Sequence, residues 1–349
     1  MRIALIALLA FAAGVLLMML VNGHSSHVQP TPSSTASTGT VSGATPAVAA
    51  SSSSDADDSD SNDNWPSKAP SPEEVVYAQP TMMHEALAKL TPRVPDKTNL
   101  YLVAFAGDGG EDVFRNEAEY AAQLFTQRFG PTAHALVLEN NPNTLQTHPL
   151  ADWSNLENAL DGLAGVMKTD QDILVVYMTS HGDEDHNLLV DMDPLPLDQI
   201  GAPDLATILK KRPFKWKVVV VNACYSGGFI PDLQGPGTLI LTAARSDRSS
   251  FGCGSDSDIT YFGKAWLVDA MNRTDDFVDA FQYAKTDIDT WEKKDKLTPS
   301  QPQINIGEGI VQQLALWRKD IKPSEAVPFS PPPATASSAP TAAQQSPDR

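Results

Sequence analysis

Three observations predict an α/β fold with a mostly parallel central sheet and helices on both faces. Short apolar, β-branched runs alternate with helix-length amphipathic stretches, the pattern of a sheet covered on both sides. Two of the runs, 173–180 and 217–223, are apolar throughout and lack polar alternation, as strands buried on both faces do. Between them lies one helix-length segment, 202–212. The three form a strand–helix–strand unit with a right-handed crossover, which leaves both strand C-termini on one edge of the sheet.

The folded part is expected at 73–321. Residues 73–90 read as an amphipathic helical stretch interrupted by Pro80. A strand follows at 99–106, then a helix at 113–129 closed by Gly130. Residues 132–138 read as a strand, 139–149 as a polar loop and 153–167 as a helix. After the strand–helix–strand unit come a strand at 237–243, helices at 261–271 and 275–293, and an extended piece at 303–306. Trp153, Trp216, Trp266 and Trp291 fall on apolar faces and are assigned to the core.

Ahead of this domain, Met1 and Arg2 precede 19 apolar residues, 3–21. That is close to the ~20 residues a membrane span needs, and longer than the roughly 7–15 of a signal peptide. A retained anchor is the first reading and a cleaved signal near 21–23 the alternative. Both export the rest of the chain, to a periplasm if it stays on the inner membrane, or into the medium if it is cleaved. Arg2 favours the short flank staying inside. Residues 22–72, rich in Ser, Thr, Pro, Ala and Asp, form a disordered linker, and 322–349 a similar tail, because neither composition buries enough apolar surface to offset chain entropy. The net charge of −18 argues against nucleic acid as a partner.

The chemistry sits where the two central strands end. The first runs into Ser180, His181 and Gly182; the second into Cys224, Tyr225, Ser226, Gly227 and Gly228. Ligand crevices of open α/β sheets lie off that edge. A thiol nucleophile has to be a thiolate, with a base near it and access to water. The glycines let backbone approach a substrate closely, and the amides of Gly182 and Cys224 are candidates for an oxyanion hole. A buried structural cysteine with a surface histidine is the bland alternative, and the pairing of the two motifs outweighs it. Cys253 is the only other cysteine; a disulfide to Cys224 would remove the nucleophile, so Cys253 is expected to be free. His181, Asp183, Asp185 and His186 also fit a binuclear metal motif. No histidine follows His186 to complete such a site, so no metal and no cofactor is expected. His134 and His148 have no spacing that points to a site.

The His-Gly and Ala-Cys-x-Ser-Gly strand ends, in this order, resemble those of the legumain family of cysteine peptidases, which belong to the caspase-like clan. The resemblance runs from about 100 to 307. It implies a caspase-like three-layer sandwich and a cysteine endopeptidase acting on peptide or protein substrates, with His181 and Cys224 as a catalytic dyad. It further implies that Arg115, after Phe114, and the segment 242–253 with Ser249 and Ser250 shape the pocket for the residue before the scissile bond. Where plant and animal members carry an acidic residue after the cysteine, Tyr225 stands here. Their supporting asparagine is Val113, and an aspartate of their pocket corresponds to Lys264. On that alignment Arg115 and Lys264 make the pocket cationic, and acidic residues are expected there at least as readily as Asn. A transpeptidase using the same dyad, and an inactive binding scaffold, remain open alternatives.

Overall fold

A computed structural model describes residues 65–331. The expected anchor at 1–21, nearly all of the linker, and the tail beyond 331 lie outside the described residues. Among the described residues no helix is long and apolar enough to cross a membrane.

The sheet has six strands: β1 (Leu100–Ala106), β2 (Ala133–Glu139), β3 (Ile173–Thr179), β6 (Trp216–Asn222), β7 (Thr238–Thr242) and β8 (Gln303–Ile306), in the order β2-β1-β3-β6-β7-β8. All neighbours pair in parallel except β7 and β8. A two-stranded antiparallel pair, β4 (Asn187–Leu188) and β5 (Ile200–Gly201), stands apart and was not foreseen. Its strands are too short for a periodic signal.

Alternation along each strand feeds two cores. Leu100, Leu102 and Ala104 of β1, Ile173, Val175 and Tyr177 of β3, and Val218 and Val220 of β6 face one layer. That layer consists of α2 (Asp112–Phe129), α5 (Phe277–Asp295) and α6 (Ile310–Asp320), with Trp266 and Trp317 fully buried in it. Tyr101, Val103 and Phe105, with Leu174, Val176 and Met178, face the other layer, α3 (Trp153–Val166) and α4 (Ala202–Lys210). This is the three-layer α/β sandwich expected, with both faces of the sheet dry and so with strands that show no polar face.

Four details differ from expectation. The first helix, α1 (Pro72–Ala88), runs through Pro80 without interruption. Pro80 lies on the solvent side and Val76, whose carbonyl loses its partner, is exposed, so water can take the missing bond. Its start is fixed by a capping box between Ser71 and Glu74. The helix expected over 261–271 is a single turn, Tyr261–Gly263, followed by a π-helical stretch, Lys264–Ala270. α6 was missed because its apolar face is narrow. The expected tail begins later than Lys322: Val327 is buried, its carbonyl accepts from Tyr120 Oη at 2.8 Å, and Phe329 packs edge-on against Tyr120.

The entry to the sheet is clamped by one buried carboxylate. Asp172, just before β3, takes Arg93 Nε at 2.8 Å and a second Arg93 nitrogen at 3.0 Å. It also accepts the backbone N–H groups of Asn99 at 2.9 Å and Lys168 at 2.7 Å. His134, stacked on Tyr101 and held by Thr91 and Asn99, belongs to the same corner and is structural. Removing one partner of a buried pair leaves the other charge uncompensated. Asp172→Ala is therefore expected to cost about 3–5 kcal/mol of unfolding free energy in urea denaturation.

Candidate active site

The sheet register sets the site. Thr179 of β3 lies opposite Asn222 of β6, so His181 and Cys224 each stand two residues beyond the same rung. The rung is held from below by Glu117 of α2, which is fully buried. Glu117 Oε2 accepts from Thr179 Oγ1 at 2.7 Å, Asn222 Nδ2 at 2.6 Å and Tyr177 Oη at 3.0 Å. Its Oε1 accepts the Thr260 N–H at 2.7 Å. Burial pushes the Glu117 carboxyl up, and these donors pull against it. Glu117 is the centre of a dry polar network.

Beyond β6 the chain turns sharply. Tyr225 adopts a left-handed conformation, φ 55°, uncommon for a residue with a side chain, and its N–H donates to Arg248 O at 2.7 Å. Gly228 lies directly against the ring of His186, where a Cβ would collide with the imidazole. Gly182 is pressed as tightly on the Cys224 carbonyl. The amides of Gly182 and Cys224 donate to no protein group among the described residues.

The Cys224 thiol packs against the segment from Ser250 to Cys253, with the Ser250 carbonyl 3.7 Å from Sγ. Its Sγ accepts the Ser250 N–H at 3.3 Å and lies 3.6 Å from Ser250 Oγ. Cys253, three residues on, lies close enough to interact with Cys224, and both are free thiols. Interaction with the Cys253 thiol lowers Cys224, against the opposing effect of burial, with Ser250 and the His181 charge contributing. The neighbouring Cys224 and burial push Cys253 up. The Ser250 N–H favours the anion on Cys224.

His181 Nε2 lies 3.5 Å from Asp108 Oδ2 and 3.4 Å from Glu111 Oε2, and the ring meets Phe114 edge-on. Asp108 follows β1, next to β3 in the sheet, and Glu111 precedes α2. Burial, then the Glu111 carboxyl, pushes Asp108 up to about 6. Neither acid was singled out from the sequence; they flank a Gly109–Gly110 turn with no spacing that marks a catalytic group.

The expected pocket residues divide. Ser250 touches the thiol, and Ser249 is exposed beside it. Arg115 is buried, with its guanidinium held by Asn116 at 3.0 Å, Asn141 at 3.3 Å and Asp112 at 3.3 Å. Lys264 does not join it: Lys264 Nζ pairs with Asp269 at 2.6 Å and lies over the Trp291 ring. The π-helical turn that begins at Lys264 shifts the phase of side chains from that of an α-helix.

Two groups of metal-ligating side chains converge among the described residues: Asp108, Glu111 and His181, and Glu119, Glu139 and His148. The first belongs to the histidine already described. The binuclear motif does not assemble, because Asp183 spends its carboxylate on its own loop, accepting from the N–H groups of Asp185 and Asn187 and from Asn187 Nδ2.

Residues 154–313, which include His181 and Cys224, match the model of the Peptidase C13 family. This is the legumain family that the two strand-end motifs resemble. Asp108, Glu111, Arg115 and Glu117 lie ahead of the matched stretch. Among solved structures the chain is similar to the crystal structure of caspase-1 from Spodoptera frugiperda, with 12% identity, a TM-score of 0.43, and coverage of 62% of this chain and 89% of that one. No curated protein matches.

Glu117→Ala would leave four buried donors without their acceptor. Each unsatisfied group costs about 1–3 kcal/mol, so a loss of at least ~3 kcal/mol is expected by chemical denaturation. Glu117→Gln, which keeps one acceptor oxygen, is expected to lose less than Glu117→Ala.

Proposed function

We propose that the chain is a cysteine endopeptidase in which Cys224 is the nucleophile and His181 the general acid and base. The observation that carries this reading is the environment of Cys224. Its Sγ accepts the Ser250 N–H, and it stands at a strand end level with a histidine that is itself flanked by two carboxyls. The Peptidase C13 match supports a cysteine peptidase in general.

In this mechanism the Cys224 thiolate attacks the carbonyl carbon of the scissile bond. The resulting oxyanion takes the amides of Gly182 and Cys224. His181 gives a proton to the departing amine, the C–N bond breaks, and an acyl-enzyme thioester remains. Water, losing a proton to His181, hydrolyses the thioester and returns the thiolate. Asp108 and Glu111 face Nε2, which leaves Nδ1 as the ring nitrogen for the thiol side, and they position the ring and stabilise its cationic form. Arg115, Ser249 and Ser250 are the proposed contacts for the residue before the cleaved bond. With Lys264 committed to Asp269 and Asp112 beside Arg115, the pocket is of mixed charge, and the expected preference for acidic residues loses its basis. Export, with attachment through residues 1–21, is part of the same proposal.

The test is cleavage of a diverse peptide library by the full chain, read by mass spectrometry, alongside labelling by a thiol-directed electrophile. Cys224→Ala and His181→Ala are expected to abolish cleavage while leaving the thermal unfolding transition in place. Substantial turnover in either variant would remove the dyad.

The pH dependence follows from Asp108. Its folded value of about 6 lies above the ordinary 3.8, so between these values the folded protein holds a proton that the unfolded chain has lost. Its contribution to stability is therefore complete below about 4 and is lost as pH rises through about 6. The carboxylate that supports His181 exists only above that point. Activity is expected to fall as pH drops through about 6. Asp108→Asn should remove this limb and lower kcat by roughly 10²-fold, the scale of a positioned acid–base group.

A further inference from the structure

We propose that Glu119, Glu139 and His148 form a binding site for a divalent transition-metal cation of the Zn²⁺ type. One ligand atom from each residue lies within 4.8 Å of the others. Glu139 ends β2, and its side chain is wholly buried, yet neither carboxylate oxygen accepts a well-formed hydrogen bond, the Thr144 hydroxyl offering at most a weak one. The contrast with Glu117 is direct, since that buried carboxylate is served by four donors. A buried carboxylate without donors needs a cation or a cost must be met elsewhere. The facing group is His148, whose Nδ1 lies 3.2 Å from Glu139 Oε1. The Arg115 charge reaches Glu119 and Glu139, but its guanidinium donates to Asn116, Asn141 and Asp112 and to neither of them.

Two carboxylates and an imidazole form a donor set suited to Zn²⁺, with water completing the sphere. Bonds of about 2.0–2.2 Å require the donor atoms to draw together. Glu119 and His148 are only partly buried and can move toward Glu139, which the strand holds in place. The partial exposure of His148, 35%, also gives the ion a way in. The site would be structural. Asn141, two residues beyond Glu139, accepts from Arg115 and donates to Asp112 at 2.8 Å, so a cation tying β2 to the 140–150 loop would brace the arginine as well.

The proposal does not depend on the peptidase reading, and its test reads no catalysis. The full chain carrying Cys224→Ala and Cys253→Ser, which removes competing thiols, is stripped with chelator and titrated with Zn²⁺ and, separately, with Ca²⁺ by calorimetry and thermal melting. One Zn²⁺ per chain is expected with Kd below about 10 μM, a rise in Tm on saturation, and weaker binding of Ca²⁺, which prefers an all-oxygen shell. Glu139→Gln and His148→Ala should each weaken Zn²⁺ by at least the roughly 10–100-fold that loss of an outer-sphere partner costs. His148→Ala trims a partly exposed side chain, so folding does not confound it. Absence of Zn²⁺ binding, binding unchanged in either variant, or Ca²⁺ bound in preference to Zn²⁺ would each overturn the site.

Discussion

The fold's working edge depends on one buried carboxylate. Glu117 joins α2, β3, β6 and the segment before the π-helical turn through four donors, and two of those donors belong to the last paired rung of the central strands. Sheet pairing fixes the spacing of the strand ends, but it does not fix how α2 sits above them. A charged group with its donors in set directions does, because any slip of the helix would leave several buried polar groups unpaired at once. The same helix carries Arg115 and Glu119 and is preceded by Glu111, so its placement also decides what surrounds His181.

Three acids near this edge have different surroundings, and their chemistry differs accordingly. Glu117 is saturated with donors and rigid. Asp108 has one backbone donor, from Gly110 at 2.9 Å, and burial, then the neighbouring Glu111 carboxyl, pushes it up to about 6. Glu139 has no well-formed donor, and burial, with the Glu119 charge adding, pushes it up to about 8 against a weak pull from Thr144 and Arg115. The Cys224 sulfur follows the same logic, because the backbone N–H of Ser250 donates to it and favours its anion.

Much of this was legible in the sequence. Uninterrupted apolar runs can only be strands covered on both sides, and their order with the intervening helices gave the sandwich. His181 and Cys224 were legible because each ends such a run before a glycine turn. What escaped was everything created by elements crossing in space. Glu117 sits among other acids on α2, and nothing in its local sequence separates a buried glutamate from solvated ones. Asp108 becomes a neighbour of His181 because β1 and β3 lie side by side, although α2 and β2 separate them in the chain. His148 was dismissed for want of spacing, since its two acidic neighbours come from a helix and from a different strand end. Lys264 was misplaced because a π-helical turn carries no compositional mark.

The contact between Gly228 and His186 has a consequence for how this surface can change over generations. The imidazole occupies the volume that any side chain at 228 would fill, so the two positions divide a single space. A mutation of Gly228 alone is blocked while His186 keeps its ring. A smaller residue at 186 would open the position, and a larger residue at 228 could then follow. The route between such variants therefore has a required order, and relatives carrying a bulky residue at 228 should have lost the ring at 186 first.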